Sequence, residues 1–405
     1  MKAWLNRLSA PMLLRLSAVS LVARFCFVLF AEPHIHTVED YNIALHLAHG
    51  DGFAYGGFES DWHLTALKAP GYPFFLALFI ALFGEASKLL IVLAQHTLFA
   101  FLPILFLRIG KTLEMELLGK IAALLFLLHP SYFYYPTVIE ATNLFVPLAI
   151  LWLESLVRIV GAAFRVRVLV GFGLFSGMLI LTQPTALVPI VLCAMLAFRT
   201  RAKSLILIFI MMLLPIALWT ARNWLVFEKV IPTKSPFYMN LYVGLLPEYT
   251  GLERYKFLDS AKVQQLNALR QTIGDIEMEA YYKEAFVTAV KEKPALYAQK
   301  TCWQAALFWL VPPRYFEQMS LQFLLVRILP VAVLNVLFIW GTIKLWRTRR
   351  EIACSILLVM LYFTLVYAFT HVANIRFKLD IEWIELFACA AVFQPINQSI
   401  NQSSQ

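Results

Sequence analysis

A chain of 405 residues that is 60% hydrophobic and only 15% charged is not an ordinary soluble domain, which carries about 25% charged residues. Its mean hydropathy of +0.71 comes from repeated apolar runs of about 18 residues or more, so the expected fold class is an all-α polytopic membrane protein. The net charge of +9 does not point to nucleic acid as a partner, because the basic residues sit in short loops between apolar runs, where they mark topology.

The first apolar run, Pro11 to Ala31, follows Lys2 and Arg7 and lacks an A-x-A-like end, so an uncleaved first span is expected rather than a signal peptide. Further runs fall near 87–109, 117–130, 137–158, 166–182, 184–198, 204–221, 321–344, 352–370 and 380–394, which makes about ten spans. Basic clusters at Lys2/Arg7, Arg108/Lys111/Lys120, Arg158/Arg165/Arg167, Arg199/Arg201/Lys203 and Lys344/Arg347/Arg349/Arg350 then share one side with the C-terminus. By the positive-inside rule that side is the cytoplasm, for both termini. The same parity makes Pro70 to Phe83 a short helix lying in the outer interface or dipping partway into the membrane rather than a span, and residues 301–312 are read likewise. Cys26, Cys193, Cys302, Cys354 and Cys389 lie mostly within or at the ends of apolar runs, with no pairing pattern that would announce a disulfide framework or a metal cluster.

The chain therefore divides into an N-terminal membrane module (1–221) whose first outer loop is 32–73, a large outer region (222–318), C-terminal membrane helices (319–394) and a polar tail (395–405) read as disordered. Within the outer region, Leu258 to Ala298 has the spacing of an amphipathic helix. The loop 32–73 concentrates the polar chemistry: Glu32, Glu39, Asp40, Asp51, Glu59 and Asp61 stand there with a single lysine, Lys68.

Glu39 and Asp40 are adjacent, so on a helix their side chains point about 100° apart and cannot form a symmetric pair. One can face a substrate while the other anchors to a cation, or both can simply begin the short helix outlined by Tyr41, Ala44, Leu45 and Ala48, favoured by its positive end. Lys68 suits an anionic group such as phosphate, or an ion pair with Glu59 or Asp61. Glu140, at the outer end of a span, is either a functional acid or a helix-start acid after Pro136. Ser131 to Pro136, rich in tyrosine, reads as an interfacial aromatic belt or a sugar platform. Arg222, on the outer face, calls for an anionic partner, and Arg376 with Lys378 makes a second basic point on that side. His34, His36, His46, His49 and His63 with nearby acids allow a divalent metal, but their spacing matches no ligand signature and surface histidines are the plainer reading; no cofactor is assigned.

These motifs resemble a family. Asp40-Tyr41, Gly50-Asp51-Gly52-Phe53 and Lys68-Ala69-Pro70-Gly71-Tyr72-Pro73 look like the first outer loop of GT-C glycosyltransferases, such as bacterial aminoarabinose transferases and protein mannosyltransferases. The likeness continues through Ile139-Glu140-Ala141-Thr142, Leu181-Thr182-Gln183-Pro184-Thr185, Trp219-Thr220-Ala221-Arg222-Asn223, Asn240-Leu241-Tyr242-Val243-Gly244 and Arg376-Phe377-Lys378-Leu379-Asp380, over about residues 15–394. The resemblance implies a GT-C-like bundle in a bacterial inner (plasma) membrane, with interfacial helices in its outer loops. It further implies inverting transfer of a sugar from a polyprenyl phosphate to a glycan, lipid or protein acceptor. Asp40 would be the general base, with Glu39 its rival; Lys68, Arg222 and Arg376 would bind the substrate phosphate; Tyr41, Tyr72, Glu140 and Asn240 would contact substrate. The family's aspartate four residues before the tyrosine is Thr37 here, and its Arg-Pro-Thr element reads Gln183-Pro184-Thr185. Two other classes stand beside this one: a polytopic lipid or ion transporter, which would place acids on broken helices near the bilayer midplane, and an inactive relative acting as a scaffold.

Overall fold

The computed structural model describes residues 9–30, 35–56, 62–161, 165–246, 257–270, 273–274, 276–310, 320–370 and 374–393. Glu32, His34, Glu59, Asp61, Asp275 and the tail 395–405 lie outside the described residues. The chain is mostly helical. It runs α1 (Ala10–Phe30), α2 (Glu39–His49), the antiparallel pair β1 (Ala54–Tyr55) and β2 (His63–Leu64), α3 (Gly71–Phe83), α4 (Ser87–Thr112), α5 (Glu116–Leu128), α6 (Pro130–Tyr134), α7 (Thr142–Val160) and α8 (Val166–Thr182). It continues with α9 (Leu187–Ala197), α10 (Ala202–Phe227), α11 (Tyr238–Val243), α12 (Ser260–Arg270), α13 (Met278–Glu292), α14 (Pro294–Trp309), α15 (Leu321–Thr348), α16 (Arg350–Thr370) and α17 (Ile375–Ala391).

Among the described residues, six helical stretches are long and apolar enough to cross a membrane: Ala10–Phe30, Gly71–Thr112, Thr142–Val160, Ala202–Phe227, Arg327–Thr348 and Arg350–Thr370. Glu116–Leu128 with Pro130–Thr137, bent by 62°, makes a seventh if the pair is one span. The bend has a local cause: Pro130 biases His129 to an extended backbone, and the helix cannot continue through it. Among the described residues this measure stops short of the expected number of about ten, because Val166–Thr182 and Pro184–Ala197 are short and α17 carries five charged residues. The Pro70–Phe83 stretch, read from parity as an interfacial helix, forms a helix of its own, α3, and is joined to α4 by one turn of 3-10 helix, Gly84–Ala86, so that the two make a 42-residue apolar unit.

One hydrophobic core extends from Leu13 to Ala391, so the C-terminal helices close onto the N-terminal ones. α17 lies at its centre, packed on α5, α7, α15 and α16. At one end of the bundle Arg349 reaches Glu114 at 3.8 Å, Arg199 reaches Glu351 at 3.7 Å, and Lys344 donates to the Val392 carbonyl at 2.8 Å. Three of the five basic clusters thus gather at that end. The outer region is not one long helix: Pro294 breaks it after Lys293, and α13 lays Met278, Tyr282, Ala285 and Ala289 on one buried face against α11. α14 packs on α16 through a buried face that includes Lys300, Gln304 and Leu307.

The close packing of α8 on α10 depends on small residues. A Cβ on Gly173 would meet the Ile208 carbonyl oxygen at 2.6 Å, and one on Gly177 would meet Pro215 Cγ at 3.0 Å. This is a small-xxx-small approach of two backbones. Gly171, two residues from Gly173 and so about 200° around the helix, has nothing within 4 Å of the corresponding point. Gly173→Ala should therefore lower the thermal unfolding temperature in detergent, by overpacking worth roughly 1–3 kcal/mol, whereas Gly171→Ala should leave it unchanged or slightly raised. Equal effects of the two substitutions would show that the contact is not tight.

Candidate active site

Four segments converge at the other end of the bundle. In the first, α2 starts after an extended Val38 without a side-chain cap, so its first-turn acids Glu39 and Asp40 face the unsatisfied N–H groups of the helix start. Just before it, Thr37 forms a parallel bridge with Ile139, and the Ile139 N–H donates to the His36 carbonyl at 2.9 Å. That staple sets Glu140 beside the two acids.

The second segment is the turn that carries Lys68. Gly71 is placed so closely against α8 that a Cβ there would sit 2.9 Å from the Thr182 Cα. The motif Lys68 to Gly71 therefore packs on the motif Leu181 to Pro184, two stretches more than a hundred positions apart. Lys68 Nζ lies 3.2 Å from Glu39 Oε2 and 3.5 Å from Asp40 Oδ2. Its partners are thus the acids of α2.

The third segment is the start of α17. Arg376 and Asp380, four residues apart, share a helix face. Arg376 pairs with Glu140, which also accepts a hydrogen bond from the Tyr135 hydroxyl. Asp380 is buried and accepts from Thr142 Oγ1 at 2.8 Å, Gln183 Nε2 at 2.9 Å and the Tyr367 hydroxyl at 3.1 Å. Gln183 thereby supplies a neutral donor to a buried carboxylate.

The fourth is the loop after α10. The Ser235 N–H donates to the Ala66 carbonyl at 2.8 Å, Trp219 Nε1 to the Thr233 carbonyl at 2.7 Å, and Asn223 Nδ2 to the Ile231 carbonyl at 2.7 Å. These bonds present Lys234 to the same space. Asp40, Lys68, Glu140, Lys234, Arg376 and Asp380 line a cavity of about 60 Å³, room for a few water molecules.

The electrostatics follow from crowding. Burial alone would raise the Glu39 carboxyl, but the Lys68 charge outweighs it and holds Glu39 below the usual carboxylate range. Burial would likewise lower Lys68, yet Asp40 and Glu39 together raise it. Lys234 goes the other way: burial, helped by the Lys68 charge, brings it down to about 8.

The expected site residues do not all meet here. Arg222 does not line the cavity; its guanidinium donates to the Thr65 carbonyl at 3.0 Å and the Phe53 carbonyl at 3.2 Å, flanked by the rings of Phe53, Trp219 and Phe227. It clamps the loop that carries Lys68, and its expected anionic partner is replaced by backbone oxygens. Tyr41 turns to the opposite side of α2, with its hydroxyl 3.3 Å from Ser87 Oγ and Lys88 over its ring. Tyr72 is buried and donates to Gln95 at 2.6 Å. Asn240 lies on α11, away from the cavity. Lys378 points to another face of α17, 3.1 Å from Glu385. The tyrosines expected as a belt are partly inward: Tyr132 is buried, donating to the Leu379 carbonyl at 2.8 Å. His46 is no surface histidine, being fully buried with Nδ1 2.8 Å from Asp51 Oδ2.

Sequence pattern points to neither Lys234 nor Asp380 as cavity residues. The four-residue spacing of Arg376 and Asp380 is a signal that could have found the second, whereas Lys234 sits in a loop with no periodicity to read. No protein-family model and no curated protein matches this chain.

The ion pairs set a pH window. Glu39, with its carboxyl lowered, contributes stability present above its ordinary value near 4.3 and lost as pH falls through its folded value. Lys68, raised, contributes below about 10.4 and loses that contribution as pH rises through its folded value. The destabilisation caused by Lys68→Met should therefore be largest between about pH 5 and pH 10 and shrink on further acidification. Thermal unfolding of both proteins from pH 4 to pH 8 checks this; a gap that widens toward pH 4 would contradict the pairing.

Proposed function

We propose that this chain is a membrane glycosyltransferase that moves a sugar from a polyprenyl phosphate to a glycan, lipid or protein acceptor at the outer face. One observation carries the reading: a buried carboxylate, Asp40, shares a polar cavity with Lys68 and Arg376 at the end of an apolar bundle opposite its basic loops. The motifs that resemble the GT-C first outer loop, Asp40-Tyr41 and Lys68 to Pro73, are the ones that meet there. On this reading the shorter helices α8, α9 and α17 also cross, giving about ten spans with interfacial helices in the outer loops, both termini in the cytoplasm and a bacterial inner membrane as the site.

The chemistry is an inverting displacement. The acceptor hydroxyl attacks the anomeric carbon as the bond from that carbon to the phosphate oxygen breaks, and the bonding pair leaves with the phosphate. Asp40 accepts the hydroxyl proton, for which it must lie within hydrogen-bond reach of the acceptor. Phosphate leaves as an anion and needs no acid, so Lys68 and Arg376 stabilise the charge that develops. Glu39, more exposed, anchors Lys68.

Asp40→Asn should reduce sugar transfer by about 10² to 10⁴-fold, the usual worth of a general base, without changing the unfolding temperature by more than a few degrees. The readout is transfer of radiolabelled sugar from membranes enriched in polyprenyl-phosphate sugars. An active Asp40→Asn protein with an inactive Glu39→Gln protein would move the base by one residue.

A polytopic lipid or ion transporter is the second reading, and a network of charges deep in the bundle favours it. Arg327 reaches Glu382 at 3.1 Å, and Lys378 reaches Glu385 at 3.1 Å, all four nearly or fully buried. Ionisable groups at such depth often mark a translocation path. Proton or ion flux in proteoliposomes that is lost with Glu385→Gln, in the absence of any sugar transfer, would establish it.

A further inference from the structure

The cations at the outer end of the bundle differ in whether they already have a partner. Lys68 touches two carboxylates, Arg376 is paired with Glu140, and Arg222 donates to two carbonyls outside the cavity. Lys234 lines the cavity and forms neither a hydrogen bond nor an ion pair among the described residues. Its backbone is nevertheless fixed, through the bonds of Ile231, Thr233 and Ser235 to Asn223, Trp219 and Ala66. A half-buried cation that faces carboxylates without touching one, and is held by a loop tied on both sides, still has its donors open as the cavity stands. An anion entering the cavity would accept from them.

We propose that Lys234 receives the anionic group of the substrate, a phosphate ester, and is the first cation to pair with it. The role of the ester as a polyprenyl-phosphate sugar rests on the transferase reading; the requirement for an anion at Lys234 does not. Lys68 and Arg376 meet the same group only by sharing it with Glu39, Asp40 and Glu140, so they contribute as the charge on the leaving oxygen grows.

The groups facing Lys234 are Lys68, Glu39 and Asp40, with Glu140, Arg376 and Asp380 across the cavity. Because Lys234 is lowered to about 8 while Lys68 is raised, Lys234 is the cation that discharges first as pH climbs. About one molecule in ten keeps the Lys234 charge one pH unit above that value, so phosphate-ester affinity should fall about tenfold between pH 7 and pH 9. An arginine in its place stays charged throughout.

The test is equilibrium binding to the detergent-solubilised full chain, with farnesyl phosphate as probe, farnesol as the uncharged control and inorganic phosphate as competitor. The expected result is tight binding of farnesyl phosphate relative to farnesol, weakened tenfold or more by Lys234→Met and retained without pH dependence by Lys234→Arg. Competition by inorganic phosphate would assign recognition to the phosphate alone; its failure would mean that the ester's chain is needed as well, and both outcomes support the assignment. Lys234→Met binding like the unmodified chain, or farnesol binding as tightly as its phosphate, overturns it. If binding depends on Lys234 but no polyprenyl-phosphate sugar supports transfer, the transferase reading fails and the anion site stands. Transfer that survives Lys234→Met unchanged removes the anion site alone.

Discussion

A carboxylate withdrawn from water costs several kcal/mol unless a cation or a full set of donors replaces the solvent. Asp40, Glu140, Asp380, Glu382 and Glu385 are all buried, and the arrangement of the cavity end of the bundle follows from how four of the five are compensated. Asp40 has Lys68, Glu140 has Arg376 and the Tyr135 hydroxyl, and Asp380 has three neutral donors, from α7, from Gln183 just past α8 and from α16. Glu382 has Arg327. Asp40 finds its cation within its own loop, but the partners Arg376 of Glu140, Thr142 and Gln183 of Asp380 and Arg327 of Glu382 come from distant stretches of chain, so the bundle has to close before those three acids are satisfied. Helix packing and charge compensation are therefore one event, and the staple of His36 to Ile139 and the contact of Gly71 with Thr182 are where it is fixed.

α17 serves two environments because of its pitch. Arg376 and Asp380, one turn apart, face the cavity; Lys378, Glu382 and Glu385 lie on a neighbouring face against α15 and the α5–α6 junction. There Arg327 bridges Glu382 to Ser131 at 2.6 Å, and Asn335 accepts from Lys378 at 3.1 Å. Removing one member of such a network leaves its partner charged and buried, which destabilises far more than the intact pair stabilises. A rotation of α17 would break both sets together. The deep network thus helps to hold Arg376 and Asp380 in the cavity, alongside their own partners.

How much of this was legible in the sequence differs by element. The helical membrane class and the gathering of basic loops at one end follow from apolar runs and charge, which depend only on local composition. The acids of α2 were legible as a pair pointing in different directions, and Asp40 does turn into the cavity while Glu39 stays nearer solvent. Lys68 was legible as a cation with an acidic partner, but the partner proved to be the α2 pair. Arg222 shows the limit: an outer arginine near aromatic residues reads as an anion site, yet carbonyls of Phe53 and Thr65 from a distant loop occupy its donors. Lys234 shows the converse, since nothing local distinguishes it and only the meeting of two loops puts it beside Asp40. The short helices α8, α9 and α17 left the number of crossings open for a related reason. Hydropathy measures what a segment would prefer alone, and α17 can be both charged and central because its charges are compensated by neighbours.

The unequal exposure of the two adjacent acids has a consequence for their roles. The Glu39 side chain is 44% exposed and Asp40 only 5%. When an anion draws Lys68 toward itself, Glu39 can exchange its partner for water at little cost, because an exposed ion pair is worth about 1 kcal/mol or less. Asp40 has no such exchange available; its oxygens must find a donor inside the cavity. The hydroxyl of a molecule bound there is a donor of the required kind, and it would be held most strongly in the state in which Lys68 has turned to an anion. On the proposed reading one acid would serve as the replaceable counter-ion and the other as the acceptor, a division set by where the helix start meets solvent rather than by the chemistry of the two carboxylates.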